Sequence, residues 1–269
     1  MSNLVDVAPQ PVMENQRGDD SKDYMQSLAR GLEVIRTFKS DSRNLSVSEV
    51  AERTGLSRAA ARRCLLTLVK EGYALTDGRT FSLGPKVLEL GYAYLSSMDL
   101  PERARPIMEE VARRTGFSCS IAVLDRADVV YIARILSNSV VSVGLAVGSR
   151  LPAYATSLGR VLLAGLPSQQ LDDYFRAAEF KRLTANTTTD EQALRRVLDQ
   201  VRSVHWALVD EELAGGLRTL AVPILNRSGQ VTAALNVCSH SVQTTAQQIL
   251  VDCLPILNAA AKEIAAFQR

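Results

Sequence analysis

This chain has little of what metal and disulfide chemistry require. Its 269 residues include two histidines, His205 and His240, and four cysteines, Cys64, Cys119, Cys238 and Cys253, with no C-x-x-C pair. That spacing excludes a zinc ribbon and a disulfide framework, and it leaves free, mostly buried thiols suited to a reducing cytoplasm. Aromatic residues make up only 5%, so the core must be built from Leu, Val, Ile and Ala. No stretch approaches the roughly 18 uninterrupted apolar residues of a membrane span. The opening residues include Asp6, Pro9, Pro11, Glu14, Asp19 and Asp20 but no apolar h-region, so no secretory signal is expected. Nucleophile-elbow, P-loop and zincin motifs are also missing. These absences point to a cytoplasmic protein with no cofactor, no metal and no catalytic residue.

A large excess of one charge is missing as well: Lys and Arg total 31, Asp and Glu 29. The distribution is uneven, however. Residues 1–23 carry 2 basic and 5 acidic groups, residues 24–98 carry 11 and 7, and the remainder 18 and 17. The basic excess lies in the block where a phosphate-contacting surface is then to be sought.

Residues 1–23, polar and acidic, read as a disordered tail. Residues 24–83 read as a winged helix-turn-helix, mainly α with a β-hairpin wing. Leu28, Leu32, Ile35 and Phe38 make one helical stripe. Ser46-Val47-Ser48-Glu49 is a capping box opening a second helix, which ends at Gly55 in a left-handed turn. Ser57 caps a third helix running to about Glu71. On it, Ala61, Cys64, Leu65, Leu68 and Val69 form the apolar stripe. Arg58, Ala59, Arg62 and Arg63 share another face near its N-terminal end, the end that enters the major groove in such motifs. Small alanines permit close approach, and arginines bind phosphate or guanine edges. Asp77-Gly78 is a tight-turn signal between two β-prone runs, with Arg79 at the tip of the wing. Ser57, Arg58, Ala59, Arg62, Arg63 and Arg79 are therefore the candidate DNA contacts.

Residues 84–99, starting at Gly84-Pro85, read as a linker helix whose apolar residues suit a second chain. Residues 100–269 read as an α+β effector domain, a PAS/GAF-like antiparallel sheet flanked by helices. A helix over 102–115 stops at Gly116. Strands are predicted at Ser118–Leu124, Val129–Arg134 and Val140–Leu145, and again at Ala207–Val209, Leu217–Leu225 and Val231–Val237. Pro152 to Gly159 read as a loop, followed by a helix over Leu158–Ala164. Thr189-Asp190-Glu191-Gln192 reads as a second capping box, and a helix over Thr244–Phe267 closes the chain. The hydroxyl-rich stretch before Leu158 offers free N–H groups and hydroxyls to a carboxylate. The acidic run Asp210-Glu211-Glu212 and the Cys238/His240 pair are the only groupings with a catalytic look. An exposed acidic loop and a strand face account for them.

The residues carry a resemblance to the isocitrate-lyase-regulator (IclR) family of transcription regulators, over residues 25–267. Its marks are Ser27-Leu28-Ala29-Arg30-Gly31-Leu32, Phe81-Ser82-Leu83-Gly84-Pro85, Ala155-Thr156-Ser157-Leu158-Gly159-Arg160 and Gly216-Leu217-Arg218-Thr219-Leu220-Ala221-Val222-Pro223. Arg58–Arg63, Leu88–Leu95 and Ala234–Val237 are most similar to the subgroup that regulates aromatic-acid catabolism. The resemblance implies homodimers or dimers of dimers on a palindromic operator in double-stranded DNA. It also implies a small organic acid effector, aromatic or dicarboxylic. By position it brings Thr156, Ser157, Leu158, Gly159, Asp210, Glu212, Thr219, Asn236 and Cys238 to the effector, with Arg134 as the charge partner of a carboxylate. The alternatives are a short keto acid such as pyruvate or glyoxylate as effector, or an enzyme with an accessory DNA-binding domain.

Overall fold

The computed structural model describes residues 24–39, 42–137 and 145–267. The expected tail over residues 1–23 and most of the strand expected at Val140–Leu145 lie outside them. The chain divides into two compact units between Ser97 and Met98.

In the first unit, α1 (Gln26–Arg36), α2 (Val47–Thr54) and α3 (Arg58–Lys70) pack around Val34, Leu45, Val50, Ala51, Ala61, Leu65 and Phe81. The capping box forms as the sequence predicts: Ser46 Oγ accepts from Glu49 N at 3.3 Å, and Glu49 Oε2 accepts from Ser46 N at 2.7 Å. Gly55 takes the left-handed conformation at φ 66°, which frees the chain to turn into α3. Ser57 caps α3 by accepting from Ala60 N at 3.2 Å. Ser57→Ala is expected to lower the first unit's stability by about 1 kcal/mol, read from its denaturant midpoint. The wing is β2 (Ala74–Thr76) and β3 (Thr80–Leu83). The two-residue strand β1 (Leu45–Ser46), not foreseen from the sequence, adds to β3.

Two local expectations are corrected here. The register Thr76↔Phe81 centres the turn on Gly78-Arg79, with Gly78 at φ 91°. Asp77 serves instead as an acceptor from Arg79 N, Thr80 N and Thr80 Oγ1, and these bonds hold its carboxyl below the usual carboxylate range. On α1 the fully buried residue is Val34, whereas Leu28 and Leu32 stay exposed. A 3₁₀ turn over Pro85–Val87 leads into α4 (Leu88–Ser96), which buries no residue at all; Leu88 is 73% and Tyr92 70% exposed.

The second unit is a six-stranded antiparallel sheet, in the order β6 (Arg150–Pro152), β5 (Asp128–Ile135), β4 (Ser118–Asp125), β9 (Val231–His240), β8 (Leu217–Leu225) and β7 (Ala207–Asp210). Two helices, α5 (Leu100–Thr115) and α9 (Ala246–Ala265), pack on each other and on β4, β5, β8 and β9. Against the sheet also lies α6 (Ser157–Ala164), backed by α8 (Glu191–Val204). The intervening α7 (Ser168–Ala177) gives Leu171, Tyr174 and Phe175 to the same cluster. Strand alternation sorts the faces: Ala122, Ala221 and Ala234 join the cluster of α6, so the paired Ile121, Leu235 and Val222 point the opposite way. Helix α8 is capped by Asp190, whose side chain accepts from Ala193 N at 2.8 Å. The box expected at Thr189 does not form, because the carboxylate one residue later takes the cap.

Candidate functional site

Two surfaces carry the predicted chemistry, one in each unit. On α3 the side chains of Arg58, Ala59, Arg62 and Arg63 are all exposed, and Ala61 and Leu65 are buried. None of the three arginines pairs with a carboxylate among the described residues. Arg79 is exposed at the wing tip. Ser57 Oγ is engaged at the helix cap. Three unpaired guanidinium groups on one helical face, around a small residue, make a surface built for polyanion contact.

The second unit holds a cleft on the α6 face of the sheet. Its polar lining is Ser120, Tyr131, Arg134, Thr156, Thr219, Asn236 and Cys238; its apolar lining is Leu145, Ala155, Val209, Leu213 and Leu217. Cross-strand register explains the gathering. Ser120 pairs with Arg134 on one side and with Asn236 on the other, and Cys238 pairs with Thr219 in the next row. One polar row thus runs across β5, β4 and β9. Among the described residues, Arg134 is the one charged side chain lining the cleft, and its Nε has no hydrogen-bond partner. Burial pushes the Tyr131 hydroxyl up to about 12 and the Cys238 thiol up to about 11, while the Arg134 charge pulls each back. Both groups are therefore neutral at physiological pH, in a cleft whose fixed charge is positive.

Five of the expected effector residues, Arg134, Thr156, Thr219, Asn236 and Cys238, come together in this lining. The other five stand behind it. Leu158 is fully buried in the core. Gly159 lets α6 pack on the 3₁₀ turn over Ala153–Ala155, since a Cβ there would lie 2.1 Å from the Ala153 carbonyl oxygen. Ser157 is buried, and its Oγ lacks a partner among the described residues. Asp210 binds Arg218 Nη2 at 2.7 Å, and Arg218 also donates to the carbonyls of Ser241 and Thr244. Glu212 accepts from Arg160 Nη2 at 2.6 Å and from Thr188 N at 2.8 Å. Both carboxylates are engaged by arginines of the second unit, and Asp210 Oδ1 has no hydrogen-bond partner among the described residues.

Ser120 and Tyr131 escaped the sequence reading. Ser120 carries a period-2 signal with Ala122, but nothing local shows which face of the strand bears the cleft. Tyr131 and Arg134 are three apart, which on a regular strand would put them on opposite faces. The register shift between Ile121 and Ala122 inserts one extra residue, Ile132, into β5, and brings both side chains to the same cleft.

Comparison with known proteins gives a consistent result. Residues 27–78 match the IclR helix-turn-helix domain, and residues 92–266 match the C-terminal domain of the bacterial transcriptional regulator IclR. The chain is 44% identical over 259 residues to the Pca regulon regulatory protein of Pseudomonas putida, covering 96% of this chain and 89% of that one. It is 41% identical to the p-hydroxybenzoate hydroxylase transcriptional activator of Acinetobacter baylyi, covering 91% and 92%. Among solved structures, an IclR homolog from Microbacterium hydrocarbonoxydans complexed with 4-hydroxybenzoate superposes with a TM-score of 0.78 at 27% identity, covering 89% of this chain and 98% of that one.

Proposed function

Because the chain belongs to the IclR family of bacterial transcription regulators, we propose that it binds a palindromic operator as a dimer or dimer of dimers and is switched by a small aromatic acid. Its DNA contacts are Arg58, Ala59, Arg62, Arg63 and Arg79. Its effector contacts are Arg134, Ser120, Tyr131, Thr156, Thr219, Asn236 and Cys238. The observation that carries the effector reading is the Arg134 guanidinium, without a carboxylate partner among the described residues, in a cleft with neutral polar and apolar walls. A carboxylate supplies the missing charge, and an aromatic ring suits Leu145, Leu213 and Leu217. The exposed apolar helix α4 supports self-association, since so much uncovered apolar surface marks an interface. Effector binding then shifts the protein between arrangements, provided it binds one better than the other.

The test is binding of aromatic acids to the full-length protein and to Arg134→Met. The substitution is expected to weaken the acid by about 1.5–3 kcal/mol, tenfold or more, and to leave operator affinity without effector unchanged. Equal affinity in both proteins overturns the assignment of Arg134.

A further inference from the structure

The wing is fastened at its root. Helix α3 ends with Gly72 in the left-handed conformation at φ 81°, where Gly72 N donates to the Val69 carbonyl and Tyr73 N to that of Leu68. This pattern turns the chain directly out of α3 into β2. The chain leaves the wing at Gly84, whose N donates to the Tyr73 carbonyl at 2.8 Å; a Cβ on Gly84 would lie 3.0 Å from the Gly72 carbonyl oxygen. Both ends of the wing therefore meet at the C-terminus of α3. Lys86, in the 3₁₀ turn that follows, spans that meeting point. Its Nζ donates to the Glu71 carbonyl at 3.1 Å and stands over the Tyr73 ring, 5.0 Å from the centroid. The carbonyls at a helix C-terminus carry the negative end of its dipole, and an aromatic face is negative too, so one ammonium serves both.

The two strands of the wing are not held equally. Strand β3 pairs with β1 and sends Phe81 into the core, whereas β2 is the outer strand and buries only Ala74. Its placement thus depends on its root at Tyr73. We infer that Lys86 is a positioning residue for DNA binding: it ties the root of β2 to the end of α3, so that Arg79 at the wing tip meets the duplex together with the α3 arginines. This rests on the proposed contact of Arg79 with DNA. Glu71, Tyr73 and Lys86 lie outside the core of the first unit, so losing the clamp loosens the wing without unfolding the unit. A loose wing has more arrangements to give up on binding, and the Arg79 contact is then made at a higher entropic cost.

The probe is the duplex that the native full-length protein enriches from random-sequence DNA. Its affinity is measured against salt concentration for the native protein, Lys86→Met, Lys86→Arg, Arg79→Ala, and Lys86→Met combined with Arg79→Ala. Lys86→Met is expected to weaken binding about three- to tenfold, and no more than Arg79→Ala does. Lys86→Arg, which keeps a cation and a donor, should bind as the native protein does. In the Arg79→Ala background, Lys86→Met should change neither affinity nor salt slope, because the contact it serves is already gone. A Lys86 ammonium that itself touched phosphate would instead cost the same factor in both backgrounds, with about one unit of slope in each. A fold damaged by the substitution would also cost the same factor in both. Equal costs, native affinity in Lys86→Met, or Lys86→Arg as weak as Lys86→Met each overturn the inference while the Arg79 contact stands. Native affinity in Arg79→Ala overturns that contact and the inference together.

Discussion

Removing either partner of the Arg160–Glu212 pair is expected to destabilise the second unit by about 3–5 kcal/mol. Arg160 is 3% and Glu212 8% exposed, and their 2.6 Å contact lies in the protein interior. Truncating one leaves the other charge buried with no counter-ion, and desolvation of that charge is the dominant cost. The pair is also hydrogen-bonded outward: Arg160 Nε donates to the Tyr154 carbonyl and Glu212 accepts from Thr188 N. The Thr187 hydroxyl donates to the Glu212 backbone carbonyl at 2.7 Å, and Thr184 Oγ1 donates to that of Glu211 at the same distance. The pair therefore joins two rims of the cleft, α6 behind Thr156 and the segment bearing Leu213. Urea denaturation of Arg160→Met, Glu212→Leu and the double variant measures this. The double variant should cost no more than either single one, because two apolar side chains replace a pair without leaving a charge behind. Strictly additive single costs would show that the two residues act independently.

The second large effect is on DNA affinity. Replacing Arg62 and Arg63 together by Ala is expected to weaken operator binding by about 1–3 kcal/mol for each true base contact, up to a thousandfold or more. Both side chains are exposed on α3 and carry no ion pair among the described residues, so their loss perturbs nothing inside the fold. The measurement is operator binding against salt concentration, compared with a scrambled duplex. Loss confined to the operator identifies base readout. Uniform loss with a shallower salt dependence identifies phosphate contact, about one unit of slope per arginine. Unchanged affinity on both duplexes removes the pair from the interface.

How much of this was legible beforehand follows the range of the interactions. The first unit was readable because its signals act within a few residues. Ser46 and Glu49 satisfy each other's backbone three positions apart, Gly55 ends a helix by its own backbone freedom, and Ala61, Leu65 and Leu68 repeat at helical spacing. Gly116 at φ 72° closed α5 in the same way. Where two local signals competed, the sequence could not choose: Asp190 prevailed over Thr189 as a cap, and the Asp77 side chain moved the turn one residue on.

The cleft belongs to the other regime. Arg134, Ser120 and Asn236 adjoin only because three strands align in one register, and Tyr131 joins them only through the extra residue in β5. Glu212 read as a pocket carboxylate, yet it meets an arginine 52 positions away and is spent there. Sequence alone determined the local elements and the guanidinium-bearing helical face, since those are set by neighbours along the chain. Only the tertiary structure decided which carboxylates are already paired and which polar atoms are left waiting, because pairing depends on what other strands and helices bring within about 3 Å.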